Sequence, residues 1–495
     1  MEKPVEVPCG PSEPQENRPH LGWRVHFLEL VVISYFIGYV LNFMMSVQFV
    51  YARLESNLLR EGNVTLNGTV KNSHCVATIG NDSGAQIVAR AQNMASSWQL
   101  YLSLVGGIPS VFATILLGSL SDRIGRKVLL LLPAVGAAIR SATYCAVSYW
   151  GLPLYCLLIV HGIEGCTGSF VATLLASFAY TSDITARGKK RSLQITIMES
   201  MLGIALGISN LTLGFMIKEW GYTVPNIPAL VMNISAGLVT VFLLPETRKS
   251  GPYSKSPSLG KAFYRVFHFY FSTKNGNPRD CYLISIATFA MASLAFVGAS
   301  GVETLYVLNE PFCWNSVQIG YFATTRALCQ AFAAVLIVKL LQFCLSDVGI
   351  ALVSGACKVA SLLLEGFATK DAYMYVVAVI GMSGIAVLAM IRSIMSKMTP
   401  KDKLGAVFAS IASVEAVTNM TASIAFVAIY QETLTFYDGT VFFCMAFVVS
   451  VSMVLYLILH YKLKRREAAL MQVQQAVIVN EERKPLLGNR ETGGY

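Results

Sequence analysis

The chain has 495 residues, of which 54% are apolar and only 13% charged, and its mean hydropathy is +0.56. That balance excludes an ordinary soluble globular protein and points to many membrane spans. The formal charge of +10 does not indicate a nucleic-acid partner. Lys and Arg gather in every second segment between apolar runs, the positive-inside pattern of a polytopic protein with both termini in the cytosol.

Residues 1–26 are polar, acidic and proline-rich, unlike a cleavable signal peptide, so the first apolar run is expected to serve as its own insertion signal. Twelve runs are long enough to cross about 30 Å of hydrocarbon as helices. They lie near 27–51, 97–120, 128–149, 153–180, 193–217, 226–245, 281–306, 317–341, 348–368, 372–396, 404–430 and 438–461. The expected fold class is therefore an all-α membrane protein with twelve transmembrane helices. A basic stretch at 246–280 separates two six-helix bundles, 27–245 and 281–461, and a polar tail occupies 462–495. Two parallel six-helix bundles with a substrate site at their interface make a secondary transporter.

The longest predicted outer segment, 52–96, carries three glycosylation sequons, at Asn63, Asn67 and Asn81. Three in one loop place it on the luminal or extracellular side. Cys75 in this loop and Cys313 in another predicted outer loop could pair in an oxidising compartment, while most of the eleven cysteines fall in apolar runs. Between the second and third spans, the tight turn GSLSDRIGRK carries Asp122, Arg123, Gly125 and Arg126. Its glycines let two helices reverse closely, and its charges can pair with each other or with helix ends. The corresponding turn of the second half, LLQFCLSDVG, keeps Asp347 and Gly349 without the arginines. In the tail, Glu482 precedes Leu486 and Leu487 at acidic dileucine spacing, which predicts a sorting adaptor as partner and delivery to endosomes or lysosomes.

An ionisable residue at mid-membrane costs about 2.5–3.5 kcal/mol on insertion scales, so each needs a partner or a task. Glu199, in the fifth span, shares a face with Gly203 and Gly207. It either takes and releases a proton during transport or is a structural carboxylate paired with an arginine. His161 and Glu164, three residues apart in the fourth span, form either a proton relay or a structural pair. Arg326 and Arg392 are permanent cations suited to an anionic substrate, and Arg392 could alternatively snorkel. Lys358 shares that ambiguity. Glu415 and Asn419 share a face of the eleventh span, and Arg140 is expected to pair with a carboxylate. Tyr35, Phe36, Tyr39 and Phe43 line the first span at mixed spacing. No phosphate-binding glycine loop, zinc-spaced His/Cys set or catalytic constellation is present in the sequence, so no cofactor, metal or enzymatic activity is expected.

The turn GSLSDRIGRK resembles the signature of the major facilitator superfamily. More specifically, VQFVYARL (47–54), SDRIGRK, ETLYVLNEPFCW (303–314) and IRSIMSKMTPKDKLGAVFA (391–409) resemble solute carrier family 46, the proton-coupled folate transporter family, across nearly all twelve spans. The resemblance implies proton symport of organic anions, a proton-coupling carboxylate at Glu199, a functional arginine at Arg392, and a turn built on Asp122 and Arg126. It also implies a Cys75–Cys313 disulfide. The folate carriers have an aspartate where this chain has Ser169, an arginine at His161 and a histidine at Phe296, so these positions bear on substrate. Other members handle steroid conjugates and muropeptides in lysosomes. The expected function is proton-coupled symport of such an anion into the cytosol, across the plasma membrane or the endosomal or lysosomal membrane. The alternative is a transport-dead receptor or scaffold on the same fold.

Overall fold

The computed structural model describes residues 26–61, 83–186, 188–247, 279–308, 316–400, 403–433 and 437–488, with isolated positions at 260, 264, 266, 267, 270, 271, 311, 312 and 314. Asn63, Asn67, Asn81, Cys75 and Cys313 lie outside the described residues. So do the side chains of Asp122, Arg123, Glu482, Leu486 and Leu487.

The first bundle contains α1 (Phe27–Glu61), α2 (Ser83–Ile124), α3 (Arg126–Trp150), α4 (Tyr155–Cys166), α5 (Ser169–Ile184), α6 (Lys189–Trp220) and α7 (Asn226–Phe242). The second contains α8 (Arg279–Leu308), α9 (Ser316–Leu341), α10 (Asp347–Gly366), α11 (Asp371–Ile380), α12 (Ile385–Met398), α13 (Leu404–Thr433) and α14 (Thr440–Gly488). Among the described residues, eleven segments are long and apolar enough to cross a membrane, and α7, at 17 residues, is a shorter apolar helix. Large apolar side chains such as Phe215, Phe242, Phe332 and Phe447 are exposed on the bundle exteriors, as lipid-facing positions must be.

Four boundaries differ from the sequence reading. The outer segment 52–96 is largely helical, because α1 continues to Glu61 and α2 begins at Ser83. Hydropathy stops at the membrane edge, whereas helix propensity in YARLESNLLRE does not. The tail likewise does not begin a new element at 462: α14 runs unbroken through the helix-forming REAALMQVQQAV to Gly488. The fourth span is two helices, since the chain takes φ +89° at Gly168 and φ +50° at Ser169. Only glycine takes up such a conformation freely, so the break is centred on Gly168. The tenth span is α11 and α12 joined by a 3₁₀ turn, Gly381–Ser383. The fourth and tenth spans occupy equivalent places in the two halves.

Among the described residues the apolar core separates into three clusters, and their distribution defines the conformation. One large cluster joins both bundles, with Val32, Phe36, Phe178 and Met198 packed alongside Phe289, Met390, Phe408 and Tyr456. These lie in the half of the molecule nearest Phe27 and the end of the twelfth span, here called the terminal face. Towards the opposite face each bundle has its own cluster, around Phe49 and Tyr144 in the first and around Trp314 and Phe442 in the second. The bundles are thus sealed together at the terminal face and separately packed at the other.

Within the first bundle, α2 and α4 approach through Gly106 and Gly165. A Cβ at Gly165 would stand 2.3 Å from the Gly106 carbonyl oxygen, which is backbone and cannot swing aside. Gly165→Ala is expected to lower stability by about 1–3 kcal/mol through overpacking, read as a reduced Tm of the purified protein in detergent. An unchanged Tm would mean that the helices part at no cost.

Candidate functional site

Arg392, on α12, is fully buried at the interface of the bundles. Its Nη1 donates to Glu199 Oε2 from α6 of the first bundle, and its Nη2 donates to Glu415 Oε2 on α13 at 2.8 Å. The guanidinium carbon also lies 4.8 Å from the ring centres of both Phe178 and Phe289, where the π faces favour a cation. The arginine is therefore clamped between a carboxylate from each half and boxed by an aromatic ring from each half. With all three groups ionised the clamp carries one surplus negative charge, which a single proton cancels. Arg392 neither snorkels nor presents a free face to an anion, because both carboxylates hold its terminal nitrogens.

A second buried pair lies in the first bundle. Arg140 Nη1 donates to Glu164 Oε2 at 2.7 Å, and its Nη2 donates to the Tyr39 carbonyl at 3.2 Å. Ser169, just past the helix break, donates to Glu164 Oε1 at 3.4 Å. His161 instead meets the Tyr144 hydroxyl at 3.0 Å through Nε2. His161 and Glu164 are therefore not paired with each other. Arg140 and Tyr144 stand one turn apart on α3, and each takes one of the two. Arg140 lies 4.7 Å from the Tyr39 ring centre. Tyr35, Tyr39 and Phe43 stack at one-turn intervals along α1, 6.1 and 6.4 Å apart, and Phe170 leans on Tyr39 at 5.1 Å. The aromatic spacing that reads as mixed in sequence is an ordered ladder beside the cation.

In the second bundle Arg326, on α9, pairs with Glu303 of α8 and stands 3.9 Å from Glu365 of α10. This arginine too is engaged by carboxylates and is no free anchor. Phe296 is half-buried and lines a small cavity with Lys358 and Leu388.

At the terminal face the signature turn is held from within the first bundle. Gly125 has φ +108°, and a Cβ there would lie 2.4 Å from Glu246 Oε2. That carboxylate caps α3, accepting from the backbone N–H of Arg126 at 2.9 Å and of Lys127 at 3.1 Å, where the helix dipole favours an anion. Arg126 Nε donates to Asp183 Oδ2 at 2.9 Å, and its Nη1 donates to Ser121 Oγ at 2.5 Å. Asp183 and Glu246 escape a sequence reading, although Glu246 stands in PETRK directly after an apolar run. The weaker echo has a larger role than its sequence suggests. Asp347 pairs with Lys397 at 2.6 Å and accepts from Ser393 and, across the bundle interface, from Ser192, each at 3.0 Å. Arg191 completes this latch, donating to the carbonyls of Ser182 and Thr185 in its own half at 2.8 Å and of Ser396 in the other at 3.3 Å.

Residues 31–423 match the family model of the Major Facilitator Superfamily. Over 426 residues the chain is 30% identical to the lysosomal proton-coupled steroid conjugate and bile acid symporter SLC46A3 of Rattus norvegicus, covering 85% of this chain and 91% of that protein. The chain belongs to solute carrier family 46 of the Major Facilitator Superfamily. The proton-coupled folate transporter of Rattus norvegicus is 27% identical over 336 residues, 68% of this chain and 70% of that one. Among solved structures, the human organic anion transporter MFSD10 superposes with a TM-score of 0.65 at 14% identity, covering 88% of this chain and 99% of that one. This last likeness bears on the fold alone. The arginine clamp is a buried ionic link between the two halves of this chain.

Two outcomes follow from the geometry. Arg140→Met strands a buried carboxylate and should cost about 3–5 kcal/mol, most of it recovered when Glu164→Leu is added. The check is Tm of the single and double variants; equal loss in both would mean that the pair has no mutual dependence. Asp347→Asn should loosen the latch and lengthen the separation of spin labels at K190C and K403C, two exposed terminal-face positions, measured by double electron–electron resonance. An unchanged distance distribution would remove Asp347 from the latch.

Proposed function

We propose that the protein is a proton-coupled symporter carrying an organic anion from an acidic outer or luminal space into the cytosol, with the terminal face cytosolic. The observation that carries this reading is the Glu199–Arg392–Glu415 clamp, whose surplus carboxylate lies between the halves that must separate. Supporting it are the SLC46A3 and folate transporter relatives, both described as proton-coupled, and the positive-inside distribution of Lys and Arg.

In the state described, the terminal face is sealed and the opposite side is divided between two separate clusters. A proton arriving from the non-terminal face neutralises Glu199 and weakens its hold on Arg392 across the interface. The remaining Arg392–Glu415 pair is charge-balanced within the second bundle and travels with it. Closure around the substrate then competes with the Asp347–Lys397–Ser192 latch, and opening of the terminal face delivers proton and anion to the cytosol. The Tyr39 ladder, backed by Arg140, offers an aromatic wall to an amphipathic substrate. Sorting through the Glu482, Leu486 and Leu487 motif would place this activity in the endosomal or lysosomal membrane. Without it, the acidic outer surface of the plasma membrane supplies the same gradient.

The test is uptake by proteoliposomes of a steroid sulfate, a bile acid and a folate at external pH of about 5.5 and 7.4, across the ordinary carboxylate-to-histidine range. Uptake should rise as external pH falls, and Glu199→Gln should abolish that dependence. Equal uptake at both pH values would remove proton coupling.

A further inference from the structure

Lys358 stands apart from the other intramembrane cations. It lies near the middle of α10, is 4% exposed, and its Nζ has no hydrogen-bond partner among the described residues. Arg140, Arg326 and Arg392 each hold a carboxylate in a direct ion pair. The space over the lysine is built. α12 and the 3₁₀ turn of the tenth span meet at Gly384, where a Cβ would lie 3.2 Å from Lys358 Cδ. Phe296, Val387, Leu388 and Val449 close a cavity of about 10 Å³ beside it, roughly the room a single water occupies.

Its charge is balanced only at a distance. Glu303, Arg326 and Glu365 form a second carboxylate–arginine–carboxylate clamp with one surplus negative charge, entirely within the second bundle. Glu365 is fully buried, and neither of its carboxylate oxygens accepts a hydrogen bond among the described residues. It stands seven residues from Lys358 on the same helix, two turns or about 10 Å along one face. The charged groups around the lysine are thus Glu303 from α8, Arg326 from α9 and Glu365 from α10. Tyr306, also from α8, stands near Glu365 and donates to the Ala368 carbonyl at 3.0 Å. α12 and α14 bring apolar side chains to the cavity. Glu365 is the penultimate residue of α10, close to the face where the bundles are separately packed.

We propose that Lys358 and the Glu303–Arg326–Glu365 clamp form a second coupling site in which one proton and one oxyanion bind together. While the clamp keeps its surplus charge, it balances Lys358. A proton from water at the non-terminal face adds to the Glu365 carboxylate and cancels that surplus. Lys358 is then the uncompensated cation of the bundle, and the carboxylate or sulfate head of the substrate is the anion that restores neutrality, entering as the one-water cavity beside Phe296 and Leu388 widens at the break in the tenth span. Because the hydrocarbon core penalises either charge alone, each ligand raises affinity for the other. The break in the tenth span gives the head group its way in, as irregular backbone in a membrane lines a cavity. This inference rests on the symporter reading and extends it from one proton site to two.

The experiment is concentration-dependent uptake of a steroid sulfate and of a carboxylate bile acid by full-length protein in liposomes. Variants Lys358→Gln, Lys358→Arg and Glu365→Gln are compared at external pH of about 5.5 and 7.4. The wild-type KM should rise about tenfold or more at the higher pH, a coupling of typical size. Glu365→Gln, which mimics the protonated acid, should hold KM near its acidic value at both pH values. Lys358→Gln should raise KM about tenfold at pH 5.5, and Lys358→Arg should recover most of that loss, since it keeps the charge. A loss for the sulfate alone or the carboxylate alone would assign the head group. A wild-type KM from Lys358→Gln, or a wild-type pH profile from Glu365→Gln, would overturn the proposal. Should Lys358→Gln fail to fold, the profile of Glu365→Gln decides alone. Absence of wild-type uptake at both pH values would overturn the symporter reading and this one with it.

Discussion

Inside a bilayer no water is available to solvate a charge, so every ionised side chain must be answered by another within the protein. This constraint organises the whole interior. Arg392 is answered by Glu199 and Glu415, Arg140 by Glu164, and Arg326 by Glu303 and Glu365. Two of these assemblies set two carboxylates against one arginine, and that stoichiometry distinguishes them from the neutral Arg140–Glu164 pair. The Arg140–Glu164 pair is balanced and holds α3 against α4. The Arg392 clamp sets two carboxylates against one arginine and spans the halves.

The same economy appears in the backbone. The first bundle breaks its fourth span at Gly168 beside Ser169 and Glu164, and the second breaks its tenth span at Gly381–Ser383 beside Lys358. Equivalent helices are thus interrupted next to buried charge in both halves. The terminal face shows a related division of labour. The signature turn around Arg126 braces the first bundle through Asp183 and Glu246, while the degenerate echo around Asp347 reaches across to Ser192. The less recognisable of the two turns thus supplies a hydrogen bond between the halves.

Much of the fold was legible in the chain, because hydropathy measures the property that the bilayer selects. Twelve apolar runs, a basic linker and the GSLSDRIGRK turn are local features, and the family likeness rests on them. The misreadings share a cause. His161 and Glu164 lie at helical spacing, so a one-dimensional reading joins them, yet Tyr144 and Arg140 on α3 draw them apart. Arg326 and Arg392 read as open anion anchors because their carboxylate partners are 23 or more residues away, in Glu415, Glu303 and Glu199. Hydropathy puts the limits of α1, α2 and α14 at the membrane edge, although the backbone has no reason to end a helix there.

The sequence alone determined the membrane-spanning all-α fold and most of the charges forced into the interior, but not Glu303 or Glu365. The fold and those charges follow from composition and period, which need no partner to be read. Tertiary packing alone decided which charges meet and which face of the molecule is sealed. It also decided that Lys358 is left without a direct partner among the described residues. Pairing in a low-dielectric interior depends on distances between helices, and those distances are set by how the helices pack, a quantity that no single stretch of the chain contains.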